Sequence, residues 1–90
     1  MRRCTIVVSG LVHGVGFRSF ATKIARELGL KGFVQNLPNG KVSIVAEGYE
    51  TYINRLIDAL KKGPPLSAVE NVETKWSDPK NEFGDFEIKT

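Results

Sequence analysis

From Arg3 to Ser9 the side chains alternate, with Cys4, Ile6 and Val8 on one side and Arg3, Thr5, Val7 and Ser9 on the other. A period of two with β-branched residues predicts a strand, broken by Gly10 and the Gly14-Val15-Gly16 run. The spacing then changes. Phe17, Phe20, Ala21, Ile24, Ala25 and Leu28 recur three and four apart, which predicts an amphipathic helix. Thr22, Lys23, Arg26 and Glu27 take its outer face, and Gly29 stands where a left-handed cap would stop it. Two further β-like runs, 31–37 and 41–47, flank Pro38-Asn39-Gly40, and Asn-Gly between such runs signals a hairpin. In the second run Val42, Ile44 and Ala46 alternate with Lys41, Ser43, Val45 and Glu47. Tyr49, Ile53, Leu56, Ile57 and Leu60 form the stripe of a second helix, ended by Gly63-Pro64-Pro65. Val69, Val72, Thr74 and Trp76 mark another strand, whose alternation slips between Val69 and Val72 as a bulge would make it. Asp78-Pro79-Lys80-Asn81 reads as a turn, and Phe86 and Ile88 as a short last strand or extended tail.

The order β-α-β-β-α-β predicts an α+β protein of the split βαβ, or ferredoxin-like, plan: an antiparallel sheet with both helices on one face. Residues 1–90 are expected to form a single domain. This plan hosts enzymes, RNA binders and ligand sensors alike, so function has to be read from a site.

Composition narrows the classes. With 41% hydrophobic and 26% charged residues the chain is neither disordered, collagenous nor a coiled coil. One cysteine, Cys4, rules out an intrachain disulfide framework, and one histidine, His13, leaves little from which to build a His-based metal cluster or a Ser-His-Asp triad. The basic start Met1-Arg2-Arg3 precedes an apolar run too short and too interrupted for a signal peptide. No run approaches a membrane span, so a cytoplasmic protein is expected. Charge is uneven. Residues 1–45 carry seven basic side chains and one acidic, and residues 46–90 carry six and nine. An anionic ligand is therefore expected on elements of the first half.

The stretch Val12-His13-Gly14-Val15-Gly16-Phe17-Arg18 lies between the first strand and the first helix. Its glycines let the backbone turn tightly, and consecutive free N–H groups there form an anion-binding concavity backed by the helix N-terminus. Arg18 is out of place, because a cation in the first helical turn opposes the helix dipole by about 0.3–1 kcal/mol. An anion between the amides and the guanidinium offsets that cost, and the planar fork suits a phosphoryl group. The sequence is not a P-loop, and it lacks the third glycine of a dinucleotide-binding loop. Asn36 is a second candidate. Its spacing before the hairpin favours a turn-forming asparagine, while its amide could also hold a water.

These residues resemble a known family. Gly10-Leu11-Val12-His13-Gly14-Val15-Gly16-Phe17-Arg18, Gly32-Phe33-Val34-Gln35-Asn36-Leu37-Pro38-Asn39-Gly40, Val45-Ala46-Glu47-Gly48 and Gly63-Pro64-Pro65 are similar to acylphosphatases over nearly the whole chain. The resemblance implies hydrolysis of the carboxyl–phosphate bond of acyl phosphates. It implies that Arg18 and the amides of Gly14, Val15, Gly16, Phe17 and Arg18 bind the phosphoryl group, and that Asn36 orients the attacking water. A monomer without metal or cofactor is expected, with phosphate or sulfate as a site anion. Leu11 stands where many members carry a basic residue and His13 where many carry glutamine.

Two other classes compete. An RNA-binding module shares the element order, and Lys31-Gly32-Phe33-Val34 faintly echoes one of its motifs, but Phe33 stands nearly alone on the outward face. Neither nucleic acid nor membrane is expected as a partner. A catalytically idle interaction domain is the other, since acylphosphatase-like units occur inside larger maturation proteins.

Overall fold

A computed structural model describes residues 1–90. The elements are β1 (Arg2–Leu11), α1 (Phe17–Glu27), β2 (Lys31–Asn36), β3 (Val42–Gly48), α2 (Glu50–Lys62), β4 (Ala68–Ser77) and β5 (Phe86–Lys89). The strands form one sheet in the order β4-β1-β3-β2-β5. β1 runs antiparallel between β3 and β4, and β2 antiparallel to β3, as the alternation predicts. β5 departs from the expected antiparallel plan. It pairs parallel to β2, with Gly32 opposite Phe86 and Val34 opposite Ile88, so the sheet is mixed.

The register lines up the apolar faces. Cys4 pairs with Ala46, Ile6 with Ile44 and Val8 with Val42, and all six side chains are buried. α1 lies over β2 and β5, and α2 over β4. Between sheet and helices Phe17, Ala21 and Ala25 of α1 meet Ile53, Leu56 and Leu60 of α2 in one core. Burying each large aliphatic side chain contributes about 1.5–3 kcal/mol, so this layer is the main source of stability. Cys4 lies in this layer, on a strand paired along both edges. Burial pushes its thiol pKa up against a hydrogen bond from the Lys75 backbone, as suits a small buried hydrophobe. No helix is long and apolar enough to cross a membrane.

The slip in β4 is a bulge: Ser9 pairs with Asn71 and Gly10 with Val69, leaving Glu70 as the extra residue. Gly32 allows β2 and β3 to approach closely. Its φ is 144°, and a Cβ there would overlap the carbonyl oxygen of Val45.

Four details depart from the sequence reading. Thr22 is not on an outer face but 7% exposed, because β5 widens the sheet under α1; its hydroxyl donates to the Arg18 carbonyl at 2.8 Å. Tyr49 is not in the α2 stripe. It is the residue before the helix, 61% exposed, with its ring edge-on to Tyr52. Residues 78–83 form no turn but an irregular segment that crosses the outer face of the sheet. That segment buries Val45 and Glu47, which simple alternation left outside. It also occupies Phe33. Phe83 packs edge-on against the Phe33 ring at 5.8 Å, and the Lys89 ammonium caps it at 3.9 Å. The outer face therefore lacks the row of free aromatics on which bases would stack.

Candidate active site

The loop between β1 and α1 hangs between two apolar anchors, Val12 and Phe17, each at most 2% exposed. Val15 between them also turns toward the core. With every apolar side chain drawn inward, the backbone at Gly14 and Gly16 faces out. Both glycines adopt left-handed φ, 70° and 77°, and a Cβ on either would meet nothing within 4 Å. The conformation calls for glycine, and the space before it is open.

Gly16 caps α1 without any side-chain hydrogen bond, and the first turn holds no acidic residue. The first intrahelical bond is Phe20 N–H to the Gly16 carbonyl at 3.0 Å. The N–H groups of Phe17, Arg18 and Ser19 therefore have no helical partner, and the positive end of the dipole is uncompensated. An anion in front of them would satisfy both.

An open cavity of about 330 Å³ occupies that place. Gly14, Gly16, Phe17, Arg18 and Ser19 from the loop and α1 line it together with Asn36 from β2. A volume at the low end of ligand pockets suits a small ligand. Arg18 takes part in none of the four ion pairs of the molecule, which belong to Arg2, Arg3 and Arg26. The Arg18 guanidinium thus has no carboxylate at ion-pair distance. Asn36, the last residue of β2, has a buried Oδ1 with no hydrogen-bond partner. An acceptor in that condition costs about 1–3 kcal/mol until a donor reaches it.

Of the residues singled out by sequence, Gly14, Gly16, Phe17, Arg18 and Asn36 share this cavity. Val15, expected among the phosphate-binding residues, does not line it; the residue is drawn inward because its apolar side chain packs on the core. His13 also points elsewhere, with Nε2 2.8 Å from the Lys41 carbonyl, and Leu11 is exposed beside the loop. Sequence reasoning missed four lining residues: Val12, which it quoted in the loop but gave no role, and Ser19, Ile88 and Thr90. Ser19 was findable, one residue beyond Arg18 in the same unpaired turn. Ile88 and Thr90 were not, because only the parallel pairing of β5 with β2 brings them to the site. No group of three or more His, Cys, Asp or Glu lies together as a metal-ligand set.

A second charged centre lies at the other end of β1. Glu47 is 6% exposed. Its Oε2 accepts Arg3 Nη1 at 3.0 Å and the Lys80 N–H at 2.8 Å, and its Oε1 accepts the Asn81 N–H at 3.1 Å. Burial alone would raise the Glu47 pKa. The Lys80 amide, the Arg3 guanidinium and the Asn81 amide outweigh it and hold the carboxyl below its ordinary value. Glu82 joins from outside, 3.0 Å from the same Arg3 nitrogen.

The acylphosphatase family model matches residues 4–88. An acylphosphatase from Archaeoglobus fulgidus is 49% identical over 83 residues, 92% of each chain. A crystal structure of acylphosphatase from Bacillus subtilis superposes with a TM-score of 0.96 at 36% identity, covering all of both chains. Full-length HypF in a phosphate- and nucleotide-bound form matches all of this chain with 12% of its own length, at 34% identity and a TM-score of 0.89.

Proposed function

This chain belongs to the acylphosphatase family, a family of hydrolases, and from that premise we propose that it cleaves acyl phosphates in the cavity between α1 and β2. Arg18 and the N–H groups of residues 14–18 hold the phosphoryl oxygens. Asn36 Oδ1 accepts a hydrogen bond from a water and directs the water's lone pair toward phosphorus. The observation that carries this reading is the meeting of two residues on one cavity: Arg18, whose guanidinium has no ion-pair partner, and Asn36, whose enclosed amide oxygen has no donor.

The chemistry asks little beyond placement. A carboxylate is a good leaving group, so catalysis consists of fixing the phosphoryl group, offsetting its charge and aiming the water in line. The water oxygen bonds to phosphorus as the bond from phosphorus to the acyl oxygen breaks. The electron pair of that bond leaves with the carboxylate. The water's surplus proton passes to a non-bridging phosphate oxygen, so an acyl phosphate dianion and water give a carboxylate and dihydrogen phosphate. His13 is not assigned that proton, since it is not among the residues lining the cavity.

The same reading has a cytoplasmic monomer that works without a cofactor and whose site also accepts free phosphate or sulfate. Phosphate release from benzoyl phosphate by the pure protein is the test. Turnover that inorganic phosphate inhibits competitively is the expected result. No release above the buffer rate would leave an idle member of the family.

A further inference from the structure

We propose that His13 is a positioning residue that fixes the water-holding half of the site against the phosphate-holding half; this rests on the reading given above. The two halves come from separate parts of the chain. The amides and Arg18 sit on the β1–α1 loop and α1, and Asn36 sits where β2 enters its hairpin with β3. One side-chain hydrogen bond joins that loop to that hairpin: His13 Nε2 to the carbonyl oxygen of Lys41, 2.8 Å, across 28 residues.

The acceptor is significant. The Lys41 carbonyl also receives the N–H of Leu37 at 2.8 Å, the bond that closes the hairpin turn, and Leu37 follows Asn36 directly. The turn is braced within itself. Asn39 Oδ1 accepts the Lys41 N–H at 3.1 Å, and the Leu37 carbonyl accepts the Gly40 N–H at 3.2 Å. A force applied at Lys41 therefore moves the hairpin base, and Asn36 with it. A carbonyl only accepts, so Nε2 carries the proton and donates. The imidazole is thus half-buried and committed through Nε2, and it lines no part of the cavity. It acts on the water through Asn36 alone.

Small displacements of a reacting group cost large factors in rate. His13→Ala should leave the loop amides and Arg18 in place and free the hairpin. The expected result with benzoyl phosphate is a kcat lower by about 10- to 100-fold, with KM and the inhibition constant for inorganic phosphate changed less than about threefold. His13→Gln, which keeps a side-chain N–H, should recover most of kcat. His13→Phe, which keeps a ring without the donor, should behave as His13→Ala and shows that filling the space is insufficient. In the wild-type protein, long-range proton–nitrogen spectra should show the Nε2–H form of His13. An alanine variant with wild-type kcat would overturn the proposal. So would a loss of phosphate affinity in proportion to kcat, or a phenylalanine variant as active as the glutamine one. If wild-type protein itself released no phosphate, the acyl phosphate reading would fail and the positioning role with it. An active wild type with an equally active His13→Ala removes only the positioning role.

Discussion

Arg18 and Glu47 are both charged, and both belong to the sheet's immediate surroundings, yet they are treated in opposite ways. Glu47 is enclosed and given three donors, two of them backbone amides of the segment crossing the sheet. Arg18 is left on an open cavity without an ion-pair partner, beside unpaired amides, and shares that cavity with Asn36, whose amide oxygen has no donor. The two centres lie near opposite ends of β1, about 26 Å apart by strand rise from Arg3 to Leu11. The lesson is one of allocation. Satisfied polar groups hold the fold, and under the proposed function the unsatisfied ones receive the substrate and its water.

That contrast can be broken by substitution, because sites this far apart should act independently. Arg18→Ala should reduce kcat/KM for benzoyl phosphate by at least about 10²–10³, while the midpoint of urea unfolding barely moves. A variant that hydrolyses normally would show that the cavity's cation is not used. Asn36→Ala should lower kcat by about 10² with KM changed little. Its stability should be unchanged or slightly raised, because the substitution removes an orphaned acceptor. A KM effect alone would assign Asn36 to binding.

Glu47→Gln should do the reverse. An amide nitrogen would replace one oxygen and face donors already aimed at it, with an expected loss of about 1.5–3 kcal/mol in urea unfolding. The kcat of the remaining folded protein should match wild type. The smallest effect concerns acid. The folded-state pKa of Glu47 is depressed, so its contribution is complete above the unfolded-state value of about 4.3. It is lost as pH falls from there through the folded value. The stability gap between wild type and Glu47→Gln should therefore narrow across that acid window, read as the difference in unfolding midpoints from pH 7 down to pH 3. A gap that stayed constant would mean the carboxylate is not the group that matters.

How far the sequence showed all this depended on how local each signal was. Strands, helices and the Asn-Gly hairpin follow from neighbouring residues, and β1, α1 and β3 formed where the alternation and the three-four spacing put them. The bulge at Glu70 was visible for the same reason. What escaped was set by distant partners. Nothing near Phe86 announces that β5 will pair parallel to β2, so the burial of Thr22 and the presence of Ile88 in the cavity wall could not be foreseen. Glu47 occupies an outward position by period two, and only the crossing of residues 78–83 turns it into a buried group. The candidate site was half legible. A glycine loop with a misplaced arginine is unusual in itself, whereas Asn36 looks like any turn asparagine until its oxygen is found enclosed and empty-handed.

The single thiol supplies a gauge for these differences. Cys4 sits on a strand hydrogen-bonded along both edges and beneath the helical layer. An alkylating reagent can meet it only when the sheet itself comes apart. The speed at which the native protein is modified therefore meters rare excursions to the open chain, without denaturant and without an introduced label. The Glu47→Gln variant should be labelled faster and the Arg18→Ala variant at the native pace, so one sulfur atom reports which end of β1 maintains the structure.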